Sequence, residues 1–131
     1  QDLICTTVAT LAASSLRSPR EAAPHVAQFE AEALADVAQR SGHAVTALQI
    51  GAPSGLVQWA LQSGAQQIVT PYVPVGPLRD WLARAKPELD AAGISLAEWR
   101  RDWDATIWPY ASAGFFKVKK QIPKFLRLIS V

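Results

Sequence analysis

A short loop, Gly51-Ala-Pro-Ser-Gly55, has residue types that are typical of a phosphate-binding turn. It lies between a predicted strand and a predicted helix, where backbone N–H groups and the helix dipole favour an anion. Pro53 lacks an N–H donor, however, no lysine follows, and the chain has neither GxGxxG nor GxxxxGK[ST]. The alternative, which we favour, is a plain turn in which Ser54 caps the following helix.

A second candidate is the segment Thr70-Pro-Tyr-Val-Pro-Val-Gly-Pro77, which directly follows a predicted strand. Its prolines fix φ and remove N–H donors, so we expect a stiff segment in which the Tyr72 ring can stack on a flat ligand. A rigid structural connector is the alternative. Ligands of open α/β sheets bind at the carboxyl ends of strands, where both loops lie. The candidate pocket residues, by position only, are Gly51, Ser54, Thr70, Tyr72 and Gly76.

Groups suited to other chemistry are sparse. His25 and His43 have no Cys, Asp or Glu partner at metal-ligand spacing, so we expect surface positions and predict no metal site. Asp102 and Asp104 could share acid–base work, but the neighbouring Arg101 favours a salt bridge. We therefore predict no catalytic residue in this chain.

The composition excludes several classes of protein. With 131 residues, half of them apolar, the chain fits one domain and is too apolar for a disordered tail. No run of apolar residues approaches the ~18 that a membrane-spanning helix needs. A single cysteine, Cys5, excludes an internal disulfide and favours a reducing, cytoplasmic location; we expect it to be buried in an apolar strand. The five tryptophans are assigned to packing rather than to an electron-transfer relay.

Charge is divided unevenly along the chain. The overall net charge of +2 is the sum of −3 over residues 1–99 and +5 over residues 100–131. The basic end also carries several Trp, Tyr and Phe residues, a combination that is one signature of nucleic-acid contact. The alternative is an ordinary solvated helix face with aromatic rings packed beneath it.

Hydrophobic periodicity predicts strands that alternate with helices. Strands are expected at Leu3–Thr10, Ala44–Ile50, Gln67–Tyr72 and Ile94–Trp99, and helices at Ala22–Arg40, Leu56–Ser63 and from Pro77 to Gly93. The first helix should turn Val26, Phe29, Ala33, Leu34 and Val37 towards the core. Pro87 should kink or break the third helix.

This alternation predicts an α/β protein with a Rossmann-like three-layer fold, in which helices cover both faces of a mostly parallel sheet of four to five strands. Residues 1–131 should form a single domain, with residues 104–131 as a basic, aromatic, helical C-terminal tail. Its last helix is expected at Phe116–Leu128, interrupted near Pro123. Because the chain starts at Gln1 and lacks Met, we expect it to be part of something longer.

Three phrases in this order of elements resemble the α/β domain of the photolyase/cryptochrome family. They are Ile68-Val-Thr-Pro-Tyr72, Leu89-Asp-Ala-Ala-Gly-Ile-Ser95 and Trp108-Pro-Tyr-Ala-Ser-Ala-Gly-Phe-Phe-Lys117. The resemblance covers roughly residues 25–125. The Arg/Asp-rich phrase that opens the family's domain is absent, and Leu3–Ala13 stands in its place.

The resemblance implies the α/β module of a photolyase-like flavoprotein that repairs DNA in light or senses light. FAD would then lie in a helical flavin-binding partner domain, which these residues lack and through which DNA would be reached. The chain alone would be a non-catalytic fragment of a deoxyribodipyrimidine photolyase-like protein, able to hold an antenna chromophore or nucleotide. Two alternatives stay open: a free-standing nucleotide-binding module similar to stress proteins or ATP pyrophosphatases, and a ligand-free interaction module whose basic tail docks a partner or nucleic acid.

Overall fold

The computed structural model describes residues 5–129, a mixed α/β chain that divides into two compact units between Ala97 and Glu98. The first unit and its boundary contain β1 (Val8–Ala12), a 3₁₀ turn (Ser14–Arg17), α1 (Pro24–Ser41), β2 (Val45–Gln49), α2 (Ser54–Gln62), β3 (Gln67–Pro71), α3 (Pro77–Ala91) and β4 (Ser95–Trp99). The second contains α4 (Asp102–Ile107), a 3₁₀ segment (Trp108–Ala113), α5 (Phe115–Lys119) and α6 (Ile122–Ile129). Residues 3 and 4 of the predicted first strand lie outside the described range.

The strands form two parallel pairs instead of the single sheet of four to five strands that we expected. β1 pairs with β2, from Val8 opposite Val45 to Ala12 opposite Gln49, and β3 pairs with β4. Each strand has only five residues. Hydrophobic alternation reports which face of a strand is buried, but it does not report which strand lies alongside. The expectation of one continuous sheet was therefore wrong, although the α/β class is confirmed.

One hydrophobic core nevertheless serves both pairs of strands. It consists of Leu56, Val57 and Ala60 of α2, Trp81, Leu82, Ala85 and Leu89 of α3, and Ile94. Each strand contributes a partly buried side chain to its edge: Leu11, Leu48, Ile68 and Leu96. Because apolar burial stabilises a fold in proportion to the area removed from water, packing on α2 and α3 holds the two pairs without a shared ladder.

Of the kink or break expected at Pro87, the break does not occur, because α3 runs through this residue as one helix. Pro87 and Ala83, whose carbonyl loses its helical N–H partner, are both exposed, so water can satisfy that oxygen. On the opposite side, Ala85 and Leu89 are completely buried and fix the helix on both sides of the proline. The sequence shows that Pro87 lacks an N–H donor. It does not show whether the carbonyl left without a partner faces solvent or the core.

Helix α1 is present as predicted, but the residues on its expected core face were assigned wrongly. Its partly buried residues are Glu30, Leu34, Ala38 and Ser41, which recur at helical spacing. Of the predicted face, only Leu34 is among them; Val26, Phe29, Ala33 and Val37 are exposed, and Phe29 is 74% exposed. An apolar stripe of α1 therefore faces away from the core.

Glu30 explains this orientation of α1. Its carboxylate accepts the backbone N–H groups of Ala13 (2.9 Å) and Ser14 (3.0 Å) and the Ser14 hydroxyl, just after the end of β1. The hydroxyl bond, assisted by both N–H groups and the charge of Arg17, lowers the pKa of Glu30, although partial burial opposes the shift. The helix thus binds β1 through a polar anchor rather than through its apolar stripe.

In the second unit, Phe125 of α6 is the buried residue around which the rings pack. Trp103 and Tyr110 meet it edge-on, with ring centroids 6.3 Å and 5.4 Å away. The predicted final helix is divided as expected, but the division falls at Lys120 and Gln121. Pro123 occupies the first turn of α6 instead, where a missing N–H costs little.

Two smaller observations complete the fold. Cys5 is exposed and its thiol donates to the Thr7 carbonyl at 3.2 Å, so the expected burial was wrong, because β1 begins only at Val8. Within residues 5–129, no helix is both long and apolar enough to cross a membrane.

Replacing Glu30 by alanine should destabilise the chain by about 1 kcal/mol, because charge-assisted hydrogen bonds are lost from a partly solvated, screened group. The lowered pKa means that this contribution is fully present above the ordinary glutamate value of 4.5 and is lost as the pH falls through the folded pKa. Thermal unfolding followed by circular dichroism at pH 7 and pH 3 measures both effects. Glu32→Ala, on the exposed side of α1, is the control. Equal losses for the two variants would contradict the anchor.

Candidate functional site

One hydrogen bond ties the loop after β2 to the helix that follows the proline-rich loop. The indole N–H of Trp81 donates to the carbonyl of Gly51 at 2.7 Å. Gly51 follows β2, whereas Trp81 lies in the second turn of α3, the helix that begins where the proline-rich loop ends. Trp81 is only 2% exposed, whereas Gly51 is exposed, so the bond is partly shielded from water. The structure therefore holds the loop after β2 against the beginning of α3.

Gly76 forms the junction between the proline-rich loop and α3. Its φ of +147° and ψ of −177° lie in a region that glycine alone adopts readily. Its carbonyl accepts the N–H of Asp80 at 3.1 Å, and Pro77 starts the helix. The Asp80 carboxylate already places negative charge in the first turn, which reduces the attraction of this helix end for an anion.

Tyr72 lies beside a cation. The guanidinium carbon of Arg79 is 5.2 Å from the centre of the Tyr72 ring, which is partly buried. Thr70, two residues earlier in β3, is also partly buried. The guanidinium lies over one face of the ring, so the opposite face together with this positive charge suits a planar ligand that carries negative charge. Thr70 lies in β3, and Tyr72 and Gly76 lie in the loop that follows it; the structure adds Arg79 of α3, which sequence reasoning missed.

The turn at Gly51–Gly55 is less suited to a phosphate than its sequence indicated. The N–H groups of Gly55, Leu56 and Val57 donate to carbonyl oxygens of the two residues before Ser54, at 3.0–3.4 Å. These donors are occupied within the turn itself. Ser54 is the first helical residue and Pro53 holds the N-cap position, with no side-chain cap bond, so the predicted cap at Ser54 was wrong. The turn is a compact connection between β2 and α2.

Trp59 of α2 provides an informative contrast to Trp81. Its indole N–H is buried and has no hydrogen-bond partner within residues 5–129. The ring packs against the same core as Trp81. Sequence reasoning treated both residues as packing groups, because a partner 30 residues away leaves no local signal. The structure shows that the Trp81 indole holds a loop, whereas the Trp59 indole packs against the core without a hydrogen bond.

The remaining polar candidates take no part in this site. Arg101 donates to Asp104 through two nitrogens, at 2.7 Å and 3.0 Å, which confirms the expected salt bridge and lowers the pKa of Asp104. An ionised carboxylate held in this way is a poor proton donor. His25 and His43 are exposed, as expected. In the part of the chain that the structure describes, no three His, Cys, Asp or Glu residues cluster as a metal site would require.

The Trp81–Gly51 bond can be tested with a pair of matched substitutions. Trp81→Phe keeps an aromatic ring in the core but removes the N–H and part of the ring volume, and should cost at least about 1 kcal/mol, which lowers Tm by roughly 4 °C or more. Trp59→Phe makes the same change at a buried N–H that has no partner, and should be neutral or slightly stabilising. Thermal unfolding of both variants gives the comparison. Equal destabilisation by the two substitutions would show that the bond to Gly51 contributes nothing.

Comparisons with known proteins supply no further assignment for these loops. No family model, no curated protein and no solved structure matches the chain. A function for the site therefore has to be argued from two contacts, Trp81 with Gly51 and Arg79 with Tyr72, and from the resemblance of the three phrases given above.

Proposed function

We propose that the chain is the α/β module of a photolyase-like flavoprotein that repairs DNA in light or senses light. The resemblance of the three phrases supports this proposal, and so does the alternation of parallel strands with helices. The proposal includes Rossmann-like layering, with helices on both faces of the strands, and a cytoplasmic location. FAD and access to DNA belong to a helical partner domain outside these residues, and the module is not catalytic by itself.

The contact between Arg79 and Tyr72 carries the ligand-holding part of the proposal. A flat chromophore stacks on the Tyr72 ring, and Arg79, 5.2 Å from the ring centre, attracts negative charge on the same ligand. Nearby, the hydrogen bond from Trp81 holds Gly51 and the loop after β2. A ligand that binds beside a fixed loop loses less entropy. The class of ligand is thus a planar, anionic antenna chromophore or nucleotide.

The nucleotide-binding alternative has less support. It places a phosphate on the turn at Gly51–Gly55, where three N–H groups are already used and no lysine is present. An exposed apolar stripe of α1 that includes Phe29 is one observation in favour of the ligand-free interaction module. Nothing in the structure indicates which partner would cover this stripe.

Thermal-shift titration with FMN, FAD, ATP and AMP tests ligand binding by the chain. A flavin at 100 times its Kd should add about 2.7 kcal/mol and raise Tm by roughly 10 °C. Tyr72→Ala should abolish the shift, whereas Tyr72→Phe, which keeps the stacking ring, should retain it. A shift with ATP and AMP alone would favour the nucleotide-binding module. No shift with any of the four compounds would refute ligand holding and leave the interaction module.

The implied flavin domain needs a separate measurement. Intact mass and visible absorption of the native protein should reveal a longer chain that carries the yellow colour of an oxidised flavin. A colourless native protein of 131 residues would overturn the assignment to a flavoprotein.

A further inference from the structure

Exposed aromatic rings are concentrated in the second compact unit. Trp103, Trp108, Phe115 and Phe116 all present large exposed surfaces, and Phe116 is 75% exposed. Phe125 already fills the small core of this unit. Phe115 and Phe116 are neighbours on a five-residue helix, with ring centroids 5.8 Å apart, and both rings lie in solvent. Clustered exposed rings of this kind mark a binding surface more often than ordinary solvated surface.

Four lysines follow these rings along the chain. Lys117, Lys119, Lys120 and Lys124 are exposed, and within the described part of the chain none of them forms an ion pair with a carboxylate. Asp104, one of two aspartates after residue 100, is already bound by Arg101. We call these lysines, Arg100, Tyr110 and the four exposed rings, Trp103, Trp108, Phe115 and Phe116, the basic aromatic surface.

Two contacts show how cations and rings combine on this surface. The Arg100 guanidinium lies 5.0 Å from the centre of the Trp108 ring, and the Lys124 ammonium lies 5.9 Å from that of Tyr110. Proteins that bind single-stranded nucleic acid use the same combination, in which lysine and arginine attract phosphates while unpaired bases stack on aromatic rings. Because every base has a π face, such binding tolerates many sequences.

We infer that the basic aromatic surface binds single-stranded nucleic acid, independently of the function proposed for the first unit. A duplex is a poorer fit, since its bases are already stacked and, among residues 98–129, the helices described have at most eight residues, too few for extensive reading of a major groove. An anionic bilayer is also a poorer fit. It favours one continuous amphipathic helix, whereas a 3₁₀ segment and the break at Lys120 and Gln121 divide this surface.

Fluorescence anisotropy with a labelled oligothymidylate of about 15 nucleotides tests the inference on the full chain. Lys117→Gln/Lys119→Gln/Lys120→Gln should weaken binding more than tenfold at about 50 mM salt and reduce the slope of log K against log salt by about 2. The control, Arg20→Gln/Arg84→Gln/Lys86→Gln, removes the same charge from exposed sites in the first unit. Equal weakening by both triple variants would overturn the inference, because general charge would then explain the binding.

Stacking is tested separately from charge. Phe116→Ala should weaken binding on the order of tenfold with an unchanged salt slope, and should abolish part of the tryptophan quenching that bases cause on stacking. Phe29→Ala, the same change at an equally exposed ring of α1, should have no effect. Far-ultraviolet circular dichroism verifies that each variant is folded.

Three results would reject the surface as a binding site for single strands. One is the absence of oligothymidylate binding at about 20 mM salt, where electrostatic attraction is strongest. Another is tighter binding to a duplex of the same length. The third is binding to phosphatidylserine vesicles without any binding to the oligonucleotide. None of these results bears on the thermal shifts caused by flavins, so the two proposals fail independently.

Discussion

The packing of Trp81 is the constraint on which the first unit depends. Few side chains between residues 5 and 129 are fully buried, and Trp81 is the largest of them. Its ring lies in the core that α2 and α3 share, and its N–H reaches the Gly51 carbonyl. A small core gains much of its stability from one large aromatic residue. The same residue therefore stabilises the fold and fixes the loop that follows β2.

Helix α1 is held by weaker means than α2 and α3. None of its residues is fully buried, and its best-defined tie to β1 is the carboxylate of Glu30. Hydrogen bonds of a partly solvated carboxylate contribute less than a buried apolar face. Local opening should therefore start at α1 rather than at α3. The exposed Phe29 and its neighbours would then be the first apolar surface that a partner meets.

The sequence predicted the elements far better than their contacts. Periodicity located all four strands and the three long helices, because burial of one face repeats locally along the chain. It failed where contacts between distant residues, or exposure to solvent, decide the outcome. The hydrogen bonds of the Glu30 carboxylate orient α1, and α3 continues through the exposed Pro87. Of the candidate site, the positions of Gly51 and Tyr72 were predicted from strand ends, but the bond from Trp81 was not. A contact between residues 30 positions apart, such as Trp81 and Gly51, produces no periodic pattern in a short stretch of sequence.

The separation of charge limits what each unit can bind. Residues 1–99 have a net charge of −3, so they give phosphates no general attraction, whereas residues 100–131 have +5. A nucleic-acid strand would thus be held by the basic aromatic surface alone, and its footprint would be only a few nucleotides. A planar ligand at Tyr72 depends instead on one local cation, Arg79, within an otherwise acidic unit. Added salt should therefore weaken strand binding steeply and ligand binding only slightly, because the number of charges in contact differs between the two.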